Sequence, residues 1–243
     1  MKAVAVARPP ARSLTAPVED TLKAVYELER VGEPAATTAL AALLGVAPAS
    51  VTGMVRRLAR QGLLTHERYR GVRLTASGRR AALRTIRRHR VIEAYLVRAL
   101  GYGWDEVDAE AERLEHAASD GFVDRMAEAI GEPTTDPHGA PIPSREGAVD
   151  EARYRTLADL EPGETADVMR VSDEDASLLR YLDDLTIRPG GVVRVLARAP
   201  FGGPITLEVG RATRVVGPAL AEHVLVRPRL ARRSCTSTTR VTR

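Results

Sequence analysis

Residues 37–75 read TTALAALLGVAPASVTGMVRRLARQGLLTHERYRGVRLT, and this stretch decides the fold. Apolar residues recur at helical spacing on both sides of Gly45, with Leu40, Leu43 and Leu44 before it and Val51, Val55 and Leu58 after it. The spacing predicts a helix, a tight turn at Gly45 and a second helix. Leu40, Leu43 and Leu44 are expected to pack inward, with Val46 covering the turn. That leaves Ala49, Ser50, Thr52, Gly53, Arg56, Arg57 and Arg60 on the outer faces. Small hydroxyl side chains can approach base edges and thymine methyls, and arginines neutralise phosphates, so this is the pattern of a DNA-binding helix-turn-helix. By itself it also fits an ordinary helical hairpin. The residues that follow narrow the choice. Apolar and polar residues alternate on both sides of Tyr69-Arg70-Gly71, which predicts a short hairpin directly after the second helix, and hence a winged helix. Arg68, Arg70 and Arg73 place positive charge on the wing, suited to a minor groove or a phosphate backbone. His66, at the base of the wing, reads as structural or exposed.

Toward the N-terminus, residues 1–13 are rich in Pro, Ala and Arg without periodicity and read as a disordered arm. Thr15 to Val31 is a helix pattern, with Pro17 in its first turn and Val18, Leu22, Val25 and Leu28 as its buried stripe. Asp20 lies near its start, where the helix dipole favours an anion, and alone reads as a solvated or capping residue. Toward the C-terminus, Thr75 or Ser77 caps a helix running to about Leu100. That helix begins basic (Arg79, Arg80, Arg84, Arg87, Arg88) and turns apolar from Val91, with His89 and Glu93 one turn apart on one face. Residues 104–120, WDEVDAEAERLEHAASD, form the next helix pattern, whose apolar stripe is Val107, Ala111, Leu114, Ala118 and Phe122. Glu112, Glu115 and His116 lie at i, i+3 and i+4 and project together from the border of that stripe. Two carboxylates and an imidazole suit a divalent metal, though acidic residues beside a stripe are more commonly a solvated face. The pattern resumes from Asp120 to Ile130, and both apolar flanks suggest burial against a second copy of the chain.

Residues 132–147 form a Pro- and Gly-rich loop in which Asp136 and His138 flank Pro137. Beyond it come short strands. One lies near residues 157–171 with turns, and the others at Val192–Ala197, Ile205–Val209, Ala212–Val216 and His223–Val226, with a short helix at Asp173–Leu185. This predicts a small β-barrel of the SH3-like kind. The fold class expected is mainly α with a small β part: an N-terminal winged helix-turn-helix (14–77), a helical metal-binding and dimerisation domain (78–145), an SH3-like barrel (152–228) and a disordered tail (229–243).

Charge is segregated along the 243 residues. Residues 1–100 hold 18 Lys and Arg against 7 Asp and Glu, whereas residues 101–150 hold 3 against 13. A basic first segment points to a polyanion and an acidic middle to a cation. The single Cys235 excludes an intrachain disulfide and fits a reducing cytoplasm. No apolar run spans a membrane and no secretory signal opens the chain, so a cytoplasmic protein with no membrane partner is expected. No phosphate-binding loop, dinucleotide fingerprint or nucleophile elbow occurs, and no base or substrate pocket beyond the candidate ligands is legible, which argues against an enzyme.

Taken together, the chain resembles the diphtheria toxin repressor family of metal-dependent regulators, in its manganese-responsive branch. The resemblance spans about residues 14–227. It is carried by VEDTLKAVYEL in the first helix, the winged helix, RHRVIE at 88–93, ERLEH at 112–116, DPHGAPIP at 136–143 and a barrel like that of ferrous-transport protein A. The resemblance implies a primary metal site of Asp20, His89, Glu112, Glu115 and His116, loaded with Mn²⁺ or, as a second possibility, Fe²⁺. Asp20 and Glu112 stand where iron-responsive members tend to have Met and Cys, and carboxylates in place of sulfur favour the harder ion. It also implies a secondary site of Glu93, Asp136, His138 and Asp173, with Asp175 as a substitute for the last. Lys23 stands where some manganese-responsive members have Glu, which argues against a second ion directly beside the first. The implied partners are a palindromic double-stranded operator and a second copy of the chain. Without metal the like charges of Asp20, Glu112 and Glu115 are expected to repel; metal is expected to join them and fix the DNA-reading heads, repressing metal-uptake genes. Two other readings are a metal-assisted hydrolase and a metal-independent winged-helix regulator with a small-molecule effector in the barrel.

Overall fold

A computed structural model describes residues 14–30, 35–67, 71–150, 152–173 and 175–229. The expected arm (1–13), the tail beyond Arg229 and the wing-tip residues Arg68 and Arg70 lie outside the described residues. The chain divides into two compact units. The first comprises residues 1–95, 109–134 and 142–149, and the second residues 96–108, 135–141 and 150–243.

In the first unit, α1 (Ala16–Arg30) presents Val18, Leu22, Val25 and Tyr26 to a core shared with α2 (Thr37–Leu43) and α3 (Pro48–Arg60). Gly45, with φ +63°, makes the turn between α2 and α3, and Pro48 starts α3 where a missing N–H costs nothing. Val51, Val55 and Leu58 are buried as the spacing predicts. Leu43 and Val46 are not: both are exposed, because α2 ends at Leu43 and the chain turns outward there. The wing is an antiparallel pair, β1 (Leu64–Glu67) and β2 (Gly71–Leu74), in the register Leu64↔Leu74 and His66↔Val72. Ala35 bridges to Val72 on the free side of β2, and Glu29 of α1 accepts a hydrogen bond from the Leu74 N–H at 2.9 Å. The wing is thereby tied to the core from both directions. His66 is exposed.

Thr75 rather than Ser77 caps α4 (Ala76–Leu100): its Oγ1 accepts from the Gly78 N–H at 3.0 Å. The remaining helices are α5 (Val107–Glu115) and α6 (Asp120–Ala129), the latter capped by Ser119. The sequence pattern runs these into one stripe, but the structure does not. The helix stops at Glu115, Leu114 and Phe122 are exposed, and Glu115 itself is the buried residue of the last turn. A carboxylate occupies the interior position that the apolar periodicity assigns to leucine.

The second unit is a six-stranded antiparallel sheet in the order β3-β8-β4-β5-β6-β7. Its strands are β3 (Arg155–Thr156), β4 (Thr165–Val171), β5 (Val192–Arg198), β6 (Ile205–Val209), β7 (Ala212–Val216) and β8 (Val224–Pro228). Ile205, Leu207 and Val209 alternate inward along β6, and Val168, Val193, Val195, Val224 and Val226 complete the same core. Trp104 is inserted into it, with Leu179 and Leu182 of α7 (Ala176–Asp184) and Ala221 of α8 (Pro218–Glu222). The architecture is the SH3-like barrel fold expected from the strand pattern. Among the described residues, no single helix is long and apolar enough to cross a membrane.

Candidate metal centre

In the first unit, α1 and the end of α5 bring four of the five primary candidates together, and His89 of α4 stands beside them against Glu115. One oxygen or nitrogen each from Asp20, Glu112, Glu115 and His116 lie within 4.8 Å of one another. Glu115 is fully buried, and its Oε2 lies 2.7 Å from His89 Nδ1. His89 reaches Glu93, one turn on, at 3.5 Å between Nε2 and Oε1. His116 Nε2 is 2.9 Å from Asp20 Oδ1, too poorly aligned to count as a hydrogen bond. Asp20 Oδ1 is thus a buried carboxylate oxygen with no hydrogen-bond partner among the described residues. That is the kind of group a cation would satisfy. Burial raises the Asp20 pKa above its ordinary value, with Glu112 and Glu115 pushing the same way against His116 and Lys23.

Around this set is a ring of ion pairs that the sequence pattern does not reveal. Glu19, buried in the first turn of α1, pairs with Arg88 at 3.2 Å and holds His116 Nδ1 at 2.7 Å. A carboxylate on one imidazole nitrogen fixes the ring and directs the other nitrogen, here toward Asp20. The legible signal for Glu19 is its place beside Val18 on the buried face of α1, where a charge needs a partner. Arg88 also donates to the Glu115 carbonyl at 3.2 Å and to Asp120 at 3.1 Å, so it belongs to the interior and not to a DNA-facing surface. Lys23 changes the expected electrostatics most. Its Nζ lies 2.6 Å from Glu112 Oε2 and 3.1 Å from Glu115 Oε1, so the carboxylates are not left to repel one another. Burial alone would lower the Lys23 ammonium pKa; Glu115 and Glu112 outweigh it and push it up. Conversely, burial would raise Glu115, but His89 and Lys23 pull it below the ordinary carboxylate value.

The secondary candidates divide between the units: Glu93, fully buried on α4, lies in the first, and Asp136, His138 and Asp173 in the second. Asp136 Oδ1 accepts from the N–H groups of His138 at 2.8 Å and Ala140 at 2.9 Å. His138 Nε2 lies 2.7 Å from the Trp104 carbonyl. A carbonyl only accepts, so Nε2 carries a proton and donates it. The other ring nitrogen, Nδ1, is 4.0 Å from Asp173 Oδ2. Asp175 points elsewhere: it caps α7, accepting from the Ser177 N–H at 2.7 Å.

On α3, Ala49, Ser50, Gly53, Arg56, Arg57 and Arg60 are exposed and Thr52 is half-buried. The Thr52 hydroxyl donates to the Pro48 carbonyl at 2.9 Å, which leaves its methyl and its oxygen lone pairs for an outside contact. Arg73 is exposed on β2; Arg70 is among the undescribed residues.

Sequence profiles match along nearly the whole of this architecture. "Iron dependent repressor, N-terminal DNA binding domain" covers residues 13–72, "Iron dependent repressor, metal binding and dimerisation domain" residues 75–144, and "FeoA domain" residues 155–228. The iron-dependent repressor IdeR of Mycobacterium tuberculosis is 32% identical over 216 residues, spanning 84% of this chain and 93% of that protein. The chain belongs to the iron-dependent repressor family. Its members are metal-dependent DNA-binding repressors related to the diphtheria toxin repressor, not enzymes, and so is this chain. Another relative is the diphtheria toxin repressor of Corynebacterium jeikeium, 31% identical over 209 residues, with 76% of this chain and 87% of that protein covered. Among solved structures, one described as a manganese-dependent transcriptional repressor in complex with manganese shares 40% identity at a TM-score of 0.78, covering 86% of this chain and 98% of that one. A structure of ScaR with bound Cd²⁺ shares 32% identity at a TM-score of 0.74, covering 86% and 98%.

Proposed function

We propose that this repressor responds to Mn²⁺, held by Asp20, His89, Glu112, Glu115 and His116, and binds a palindromic operator as a homodimer when loaded. The observation that carries this is the donor set. Three carboxylates and an imidazole converge with no thiol or thioether among them, a combination suited to a hard divalent ion. The 40% identity to a manganese-dependent repressor supports the same choice over Fe²⁺. When bound, the ion supplies the positive charge that holds the α1 carboxylate against the acidic turn of α5. Asp20 joins α1 to the site; Glu112, Glu115 and His116 anchor it to the end of α5; Glu19 keeps the His116 ring in place. Ala49, Ser50, Thr52 and Gly53 read bases while Arg56, Arg57, Arg60 and Arg70 meet phosphates. Leu114 and Phe122, exposed here, suit burial by a second copy. The proposed division is winged helix 14–77, helical domain 78–145 and barrel 152–228, in a cytoplasmic protein. Glu93, Asp136, His138 and Asp173 are proposed as a secondary site. Shifting the head equilibrium from 1:99 to 99:1 takes about 5.5 kcal/mol of differential binding, within the reach of one well-coordinated ion per chain.

The test is an operator mobility shift with Mn²⁺, with Fe²⁺ and with chelator, on the wild type and on His116→Ala. Mn²⁺ is expected to be required and His116→Ala to have lost the response while keeping its helical circular dichroism. Equal binding in chelator refutes the reading and favours a metal-independent regulator.

A further inference from the structure

We propose that Lys23 is a tethered counter-cation that sets the metal threshold: its ammonium competes with the ion for Glu112 and Glu115 and holds α1 against α5 until the ion displaces it. This rests on the metal site proposed above. Lys23 lies one turn beyond Asp20 on α1, on the same face. Its Nζ is within 2.6 Å of Glu112 Oε2, and within 3.1 and 3.3 Å of the two oxygens of Glu115. Glu112 and Glu115 are two of the four residues that each offer one ligand atom to this cluster. An oxygen already bonded to an ammonium offers less to a cation, and two cations a few ångströms apart repel strongly in a partly buried setting. Three-quarters of the Lys23 side chain is shielded from solvent, with side-chain exposure of 23%, so the contact is not a loosely held surface pair.

Charge counting points the same way. Asp20, Glu112 and Glu115 carry three negative charges, while Glu19 is matched by Arg88 and Asp120 by Arg84 and Arg88. In the metal-free protein Lys23 cancels one of the three. The ion therefore has to win its carboxylates from an occupant already in place. A regulator that must ignore low metal concentrations gains from such an occupant, because it weakens binding without removing a ligand.

The experiment is equilibrium dialysis of the full chain against Mn²⁺ with elemental analysis of the bound metal, alongside thermal denaturation of the metal-free protein. Lys23→Met is expected to bind Mn²⁺ about tenfold more tightly than the wild type, which is ~1.4 kcal/mol. Metal-free, it is expected to melt at a lower temperature. Lys23→Arg, which keeps the charge, is expected to stay near wild-type affinity. Lys23→Gln is measured in parallel as a polar neutral variant, so that a poorly folding Lys23→Met leaves the test intact. Unchanged or weaker Mn²⁺ binding in a folded, neutral variant overturns the proposal. Wild-type Mn²⁺ binding in Glu115→Ala instead overturns the site itself, whatever Lys23 does.

Discussion

Two carboxylate–histidine groups stand on very different scaffolds in this chain. In the first unit, the donors come from α1, α4 and the end of α5 and are steadied by other charges: Lys23 on Glu112 and Glu115, Glu19 on His116, Arg88 on Glu19. Glu112 keeps 47% of its side chain in solvent. In the second unit, Asp136 and His138 sit on a loop closed by the Thr135↔Pro141 bridge and are fixed by backbone groups. Charges steadied by charges can be rearranged by one more cation. Side chains pinned by backbone N–H and C=O groups cannot move without moving the chain. The first arrangement suits a switch and the second a preformed support.

The sharpest way to break that comparison is Glu115→Ala. Glu115 touches His89, Lys23 and the candidate ion position at once. Its loss is expected to weaken Mn²⁺ binding at least about hundredfold, ~2.7 kcal/mol, by equilibrium dialysis. Asp136→Ala is expected to cost much less at that site. Equal losses for the two variants would mean that the groups do not differ in role.

How much of this was open to sequence reasoning follows from the same contrast. Periodicity and turn chemistry gave α1 to α4, the wing and the barrel strands, because Val51, Val55, Leu58, Ile205 and Leu207 obey simple periods. Periodicity failed at Leu114 and Glu115, where a buried ion network replaces the apolar stripe. Asp20, Glu112, Glu115 and His116 were legible through motif spacing and family resemblance. Glu19 left only its place among the buried residues of α1, and its pairing with Arg88 was not legible, since the two are 69 residues apart in the chain. Lys23 was legible as an oddity of charge, but its bond to both glutamates required the fold.

A prediction of intermediate size concerns the rigid scaffold. Gly139 has φ +88°, and a Cβ there would stand 2.0 Å from the Met169 carbonyl oxygen. Gly139→Ala therefore adds backbone strain to an overlap with main chain that no rotamer relieves. It is expected to destabilise the second unit by about 2–4 kcal/mol in urea denaturation. Mn²⁺ affinity at the first cluster is expected to stay within about twofold of wild type. A loss of Mn²⁺ binding as large as that of Glu115→Ala would show that the two groups work as one. His138→Ala is milder. It removes the donor to the Trp104 carbonyl and the ring stacked 5.8 Å from the indole, and about 1–3 kcal/mol is expected from an orphaned acceptor and lost packing.

The smallest effect tests whether the switch cluster is held by ionised pairs in the metal-free protein. Glu115 and Asp120 have pKa values lowered from 4.5 and 3.8. In each case burial opposes the shift, and it is outweighed by His89 and Lys23 for Glu115 and by Arg84 and Arg88 for Asp120. A carboxylate lowered in the folded state stabilises it above the ordinary value, and that stability is lost as pH falls through the folded value. Asp20 works the other way: burial raises it, so its ionisation costs stability as pH rises through its folded value, and the cost is absent in acid. Glu115 and Asp120 thus favour a loss of stability in acid, and Asp20 opposes it. The metal-free wild type is expected to melt progressively lower below about pH 4.5. Glu115→Gln, which keeps the shape and removes the charge, is expected to be less stable than wild type at pH 7 and to lose part of the acid slope. Lys23 supplies the opposite limb. Its ammonium is raised above 10.5 by the two glutamates, so its contribution persists through neutral pH and fades only above that value. Identical acid slopes for the wild type and Glu115→Gln would mean that packing, and not paired charge, holds the end of α5 before metal arrives.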